Sequence, residues 1–218
     1  MISRCTGVIL AGGANARFGG ARKGLLEVDG RRVVDRVIDA LLPATDELLL
    51  IANDEAVWAA IEGIPARADV RPERGSLAGI HSALVYCANA ALVVAWDMPF
   101  VSSTLLSALR RKGEESHAAI IPEGAGGLEP LCAYYPKSAL DVVERQLDAG
   151  EFRASAFIEA LPHRVIMPQR DVSHFGAPGR LFVNVNSPAD LIAAQAMAVE
   201  SLDTQPAAHR GASLSDFQ

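Results

Sequence analysis

The chain lacks the features that mark several classes of protein. It has three cysteines, Cys5, Cys87 and Cys132, far apart and with no C-x-x-C pair. A disulfide framework or a structural zinc site is therefore not expected, and the three read as small apolar side chains in a reducing compartment. Cations are not in excess: 20 Lys and Arg face 26 Asp and Glu, for a formal net charge of −6. Affinity for nucleic acid comes largely from cations on phosphates, so no nucleic-acid partner is expected. A small phosphorylated ligand stays open, because a pocket can be locally basic in an acidic protein. No apolar run reaches the ~18 residues needed to span a bilayer, and the N-terminus lacks a signal-peptide layout. The expectation is a cytoplasmic protein without a membrane partner. The five histidines form no ligand-like cluster, and there is no H-E-x-x-H.

What is present is an alternation of apolar strands and amphipathic helices. With 218 residues, half of them hydrophobic, the chain suits one α/β domain over residues 1–200. Thr6–Ala11, Leu48–Ala52 and Ala90–Trp96 read as buried strands, and Ala118–Ile121, Leu131–Tyr135, Arg164–Met167 and Leu181–Val185 as further strands. Arg31–Leu42 carries Val33, Val34, Val37, Ile38, Leu41 and Leu42 on one helical face and stops at Pro43. Other helices are predicted over Glu55–Ile61, Ser76–Cys87, Ser102–Lys112, Lys137–Ala149, Ala154–Leu161 and Pro188–Val199. Strands apolar on both faces, separated by helices, predict a mostly parallel sheet with helices on both faces. Asp171–Arg180, rich in Gly, Pro and polar residues, reads as a mobile surface loop. Ser201–Gln218 has no periodicity and reads as a disordered tail.

Open parallel sheets bind ligands beyond the carboxyl ends of their strands, and two segments stand out there. The first is Leu10–Lys23, LAGGANARFGGARK, where a buried strand runs into a glycine-rich loop holding Arg17, Arg22 and Lys23. Glycines let backbone N–H groups close on an anion, and the cations supply charge-assisted bonds to phosphate oxygens. A glycine-rich loop with solvated basic residues is the plainer alternative. The segment is not a Walker loop, since no G-x-x-x-x-G-K-[ST] is present, and no G-x-G-x-x-G follows the first strand. The second is Asp97, closing the apolar AALVVAW strand, where a carboxylate can point into the ligand crevice and hold Mg²⁺ on phosphates. A turn Asp before Met98 and Pro99 is the alternative. Asp69 ends a short strand-like stretch before a loop, where a surface Asp is the plain reading.

The order L-A-G-G-x-x-x-R-x-G-x-x-x-K resembles the signature of the nucleotidyltransferase superfamily. Ala11, Gly12 and Gly13 are similar to the molybdenum cofactor guanylyltransferases, where related cytidylyltransferases more often carry Ala-Ala-Gly. KGLLEVDG at Lys23–Gly30, GSLAGI at Gly75–Ile80, DMPFV at Asp97–Val101, EPLCA at Glu129–Ala133 and FVNVNSPADL at Phe182–Leu191 resemble the same family in the same order. The resemblance implies a three-layer Rossmann-like α/β fold, as in nucleotide-diphospho-sugar transferases. It implies Arg17 and Lys23 on the triphosphate, Asp97 on Mg²⁺, and Leu10, Ala11, Gly12, Gly13 and Asp69 around the guanosine. Asn53 falls where the family has Asn residues, with Ile51 as an alternative register. Asn184 and Asn186 would face the acceptor or metal, with turn chemistry before Pro188 as the competing account. Two positions depart from the pattern: Ser76 stands where the family usually has Pro, and Trp96 where a small residue usually precedes the metal Asp.

The implied reaction is GMP transfer from GTP to molybdenum-molybdopterin with release of pyrophosphate, by a monomer that exchanges the pterin cofactor with delivery or acceptor proteins. The attacking group is already an ionised phosphate, so the absence of a His–carboxylate dyad is no obstacle. A cytidylyltransferase or sugar-1-phosphate nucleotidyltransferase of the same fold is the nearest alternative. A non-catalytic GTP-binding regulator is a further one.

Overall fold

The computed structural model describes residues 4–12, 22–72 and 74–203. Strands β1 (Cys5–Leu10), β2 (Glu27–Val28), β3 (Arg31–Arg32), β4 (Glu47–Ile51) and β5 (Ala66–Arg67) make the first half, with helices α1 (Val33–Leu41) and α2 (Glu55–Ala60). Helix α3 (Gly75–Tyr86), strand β6 (Ala90–Ala95) and helix α4 (Ser103–Ser116) lead into β7 (Ala119–Gly124), β8 (Gly127–Leu128) and β9 (Cys132–Pro136). Helices α5 (Leu140–Asp148) and α6 (Ala154–Ala160) precede β10 (Arg164–Met167), and α7 (Gln169–Val172), α8 (Pro178–Leu181) and α9 (Pro188–Asp203) close the chain.

The main sheet runs β10-β7-β9-β6-β1-β4-β5, with β8 paired to β7. The β6-β1-β4-β5 half is parallel throughout, while β9 is antiparallel to both β6 and β7. The sheet is thus mostly parallel but mixed. Every residue of β1 and β6 is buried, and alternation divides them between two cores. Cys5, Ile9, Leu92 and Val94 meet α1 and α4 on one face; Val8, Leu10, Ala91 and Val93 meet α3, α5 and α6 on the other. Each fully buried aliphatic side chain contributes about 1.5–3 kcal/mol, so the two central strands anchor both cores.

Four expectations need correction. Arg31 and Arg32 do not begin a helix. They form the second strand of a hairpin, β2 against β3, turned by Asp29 (φ 53°) and Gly30 (φ 67°). Two consecutive positive φ values are what an Asp-Gly hairpin turn of the primed type requires. Asp171–Arg180 is not a structureless loop: α7, a 3-10 turn at Ser173–Phe175 and α8 occupy most of it. Leu181–Val185 is not a strand; Leu181 ends α8 and the following residues pair with no strand. The last helix runs to Asp203, three residues into the expected tail, and residues 204–218 lie outside those described.

Leu181–Val185 keeps one property of the strand it resembles. Val185 is fully buried against Val28, Val33, Ala194 and Ala198, while Asn184 and Asn186 on either side line a cavity. The small core formed by the hairpin and α9 therefore aims both asparagines.

Candidate active site

The parallel register sets out the site. Leu10 lies beside Ile51 on β4 and Ala95 on β6, so three strand ends form one row. Two residues beyond each member of that row come Gly12, Asn53 and Asp97, and all six line a cavity of about 690 Å³. Lys23, Asp69, Gly75, Ser76, Gly79, Leu131, Asn184 and Asn186 complete its wall. Short backbone bonds hold the rim: Ala11 N–H to Ile51 O at 2.8 Å, Ala95 N–H to Leu131 O at 2.8 Å and Val185 N–H to Asp97 O at 2.9 Å.

At one end sit the buried charges. Lys23 Nζ donates to Asn186 Oδ1 at 2.6 Å, joining residues 163 apart in sequence. Asp97 is 9% exposed and Lys23 8%. Burial raises the Asp97 carboxyl above its ordinary value, and the Lys23 ammonium pulls it partly back. A desolvated carboxylate with so little compensation is a place where a cation is favourable. Among the described residues no group of three or more His, Cys, Asp or Glu could enclose a metal. The donor set fits an ion that brings most of its oxygen ligands with it, as Mg²⁺ does on phosphates.

At the other end is a hydrogen-bonded carboxylate. Asn53 Nδ2 donates to Asp69 Oδ2 at 2.8 Å, and the Asp69 N–H donates back to Asn53 Oδ1 at 2.8 Å. Asn53 therefore holds Asp69, with both its polar groups engaged. Arg22, a third cation of the glycine-rich segment, is engaged at the edge: its Nε donates to Asp54 Oδ2 at 2.8 Å, and Asp54 also caps α2 through the Ala56 N–H.

Of the residues singled out in the sequence, the cavity gathers Leu10, Gly12, Lys23, Asn53, Asp69, Asp97, Asn184 and Asn186. Ala11 is buried behind the wall. Gly13 and Arg17 lie outside the described residues. Trp96, the bulky neighbour of Asp97, does not line the cavity; it is 2% exposed in the core facing α1 and α4. Its ring lies so close to Gly24 that an added Cβ there would stand 2.4 Å from it. The cavity wall also includes Ile51, named in the sequence as the alternative to Asn53, Ser76, named as a departure, and Gly75, Gly79, Ala95 and Leu131, which were not singled out one by one. The GSLAGI and EPLCA segments carried the signal for Gly75, Ser76, Gly79 and Leu131. Ala95 needed the strand register.

A parallel-sheet cavity at the strand ends, with a buried lysine and carboxylate at one end and a hydrogen-bonded carboxylate at the other, fits the nucleotidyltransferase class. The family model for MobA-like NTP transferase domains matches residues 7–165. The molybdenum cofactor guanylyltransferase of Cereibacter sphaeroides is 32% identical over 89% of this chain and 97% of its own. That of Desulfosudis oleivorans is 36% identical over 76% of this chain and 82% of its own. Among solved structures, molybdopterin-guanine dinucleotide biosynthesis protein A from Archaeoglobus fulgidus superposes with a TM-score of 0.77 at 30% identity, over 89% of this chain and 99% of that one. The chain belongs to the MobA-like NTP transferase family and is an enzyme of the molybdenum cofactor guanylyltransferase group. A Mycobacterium tuberculosis protein solved with manganese shares the fold, with a TM-score of 0.64 at 20% identity.

Proposed function

We propose that this cavity transfers GMP from GTP to the terminal phosphate of molybdenum-molybdopterin, giving the guanine dinucleotide form of the cofactor and pyrophosphate. The observation that carries the reading is the division of one cavity between Lys23 and Asp97 at one end and Asp69 at the other. An acceptor phosphate oxygen attacks the α-phosphorus of GTP, and the bond from that phosphorus to the bridging oxygen breaks. No side chain needs to remove a proton, because the attacking group is already an anion. The work is to bring two anions together and to stabilise charge on the leaving pyrophosphate.

Lys23, aimed by Asn186, supplies a compact positive charge to the outer phosphates. Arg17 would add a second cation there. Asp97 would hold the divalent ion, Mg²⁺ in this reading, and when bound that ion supplies Lewis-acid stabilisation of the phosphate oxygens. Gly12 and Gly79 keep the wall beside Leu10 free of side chains, which lets the nucleotide lie against the backbone. Asp69 accepts from the N1–H and 2-amino group of guanine. Asn184, beside Asn186, faces the acceptor phosphate.

The test is product analysis. Purified protein, Mg²⁺, GTP and molybdenum-molybdopterin should yield the guanine dinucleotide and one pyrophosphate per product. Replacement of the acceptor by glucose 1-phosphate should yield none. Turnover with the sugar phosphate and not with the pterin would overturn the acceptor assignment.

A further inference from the structure

Asp69 sits in an irregular stretch after a two-residue strand, β5, where no ladder or helix fixes its backbone. Among the described residues, one side chain besides Asn53 bonds to it, and that side chain comes from the neighbouring helix. Ser82, on α3, is completely buried. Its Oγ accepts from the Val70 N–H at 2.9 Å and lies 3.1 Å from Asp69 Oδ1. It also lies 2.9 Å from the Ala78 carbonyl one helical turn back.

A hydroxyl has one proton and here two acceptors. A carboxylate makes a charge-assisted bond roughly twice as strong as a neutral carbonyl does, so the proton favours Asp69. Together Asn53 on Oδ2 and Ser82 on Oδ1 hold the carboxylate from both sides. A carboxylate offers about four lone-pair sites. One on each oxygen thus stays free, enough to accept two donors from one planar base. The same hydroxyl ties this carboxylate to the helix whose first turns, Gly75, Ser76 and Gly79, form the neighbouring wall.

We propose that Ser82 is a positioning residue for base selection: it fixes the plane of the Asp69 carboxylate so that both its oxygens meet the guanine edge. The inference rests on Asp69 as the base-reading group and goes beyond it to the residue that sets its aim. Loss of the hydroxyl frees one oxygen to rotate, so that a base is still accepted but its two donors are no longer read together.

The experiment compares GTP with ITP, which lacks only the 2-amino group, in wild type, Ser82→Ala, Ser82→Cys and Asp69→Asn. Pyrophosphate release is measured with the pterin acceptor present, beside thermal melts. In Ser82→Ala the ratio of kcat/KM for GTP over ITP should fall about tenfold, since the second donor loses its oriented partner. KM for GTP should rise while kcat at saturating GTP stays within about a factor of two. Ser82→Cys fills the same space with a weak donor and should fall in the same direction, which covers the case in which the alanine variant does not fold. An unchanged ratio in the folded serine variants, with a loss in Asp69→Asn, would overturn the proposal and leave Ser82 as a structural pin. A wild-type ratio retained in Asp69→Asn would remove Asp69 as the base reader, and the role of Ser82 with it.

Discussion

The two ends of the cavity are built from different materials. The Lys23 end joins residues from across the whole chain: Lys23 follows the glycine-rich segment, Asp97 lies two residues beyond β6, and Asn186 precedes the last helix. The Asp69 end is a network of neutral donors on one carboxylate, more open to water: Asn53 is exposed and Asp69 half-buried. Charges in a low-dielectric site act strongly on developing charge but tell one triphosphate from another poorly, because all nucleotides carry the same phosphates. Oriented hydrogen-bond acceptors contribute less to rate and more to choice. Chemistry and selectivity therefore sit on separate elements, about the strand-end row of Ile51, Leu10 and Ala95.

The largest effect should come from Asp97. Asp97→Asn keeps the shape and removes the charge, and turnover should fall by ~10²-fold or more. Folding should not suffer, because the native carboxylate is desolvated and the amide is neutral. Single-turnover rates beside melting curves check both parts. Near-normal rates in the folded variant would take Asp97 out of the reaction. Lys23→Ala comes next, with a loss of about 2–4 kcal/mol in the transition state and a smaller loss in ground-state GTP affinity. Calorimetry beside the rate measurement separates the two, and equal losses would make Lys23 only a binding residue.

Gly24 sharpens the comparison from the packing side. Gly24→Ala should push the backbone that carries Lys23 away from Trp96, lowering the melting temperature by several degrees and kcat by roughly tenfold. GTP over ITP preference should hold, since the Asp69 end is untouched. Combining it with Trp96→Leu should restore much of the loss; additivity of the two changes would show that the contact does not matter.

The smallest effect concerns Glu129, outside the cavity wall. Burial pushes its carboxyl up to about 7 from the ordinary 4.5. The folded chain therefore binds the extra proton between those values, and this group's contribution to stability declines as pH rises through the window. Glu129→Gln should melt a few degrees above wild type at pH 8, with the gap closing toward pH 4.5. A constant gap across that range would assign the effect to packing.

Much of this was legible in the sequence, and for local reasons. The β1, β4 and β6 runs are apolar on both faces because both faces are covered, so buried parallel strands could be read from composition alone. Gly12, Asn53 and Asp97 could be singled out because each follows such a run at the end where ligands bind. The register that aligns them is tertiary: it places both Asn53 and its alternative Ile51 on the cavity, and Ala95 became visible only through it. The Asp29-Gly30 turn was a readable hairpin signal masked by the helical spacing that follows it. Ser82 carried no signal: it sits among apolar residues of α3, and its partners lie 12 and 13 residues away on a segment with no regular structure. Nor did the sequence show that Asn53 holds Asp69 through two hydrogen bonds.

The most direct test of the division is pyrophosphate release with GTP and with CTP, pterin acceptor and Mg²⁺ present, in wild type, Lys23→Ala and Asp69→Asn. Wild type should strongly prefer GTP. Lys23→Ala should lower both rates and leave their ratio within about threefold, whereas Asp69→Asn should collapse the ratio about tenfold or more and lower maximal turnover little. A ratio that follows Lys23 and ignores Asp69 would contradict that division.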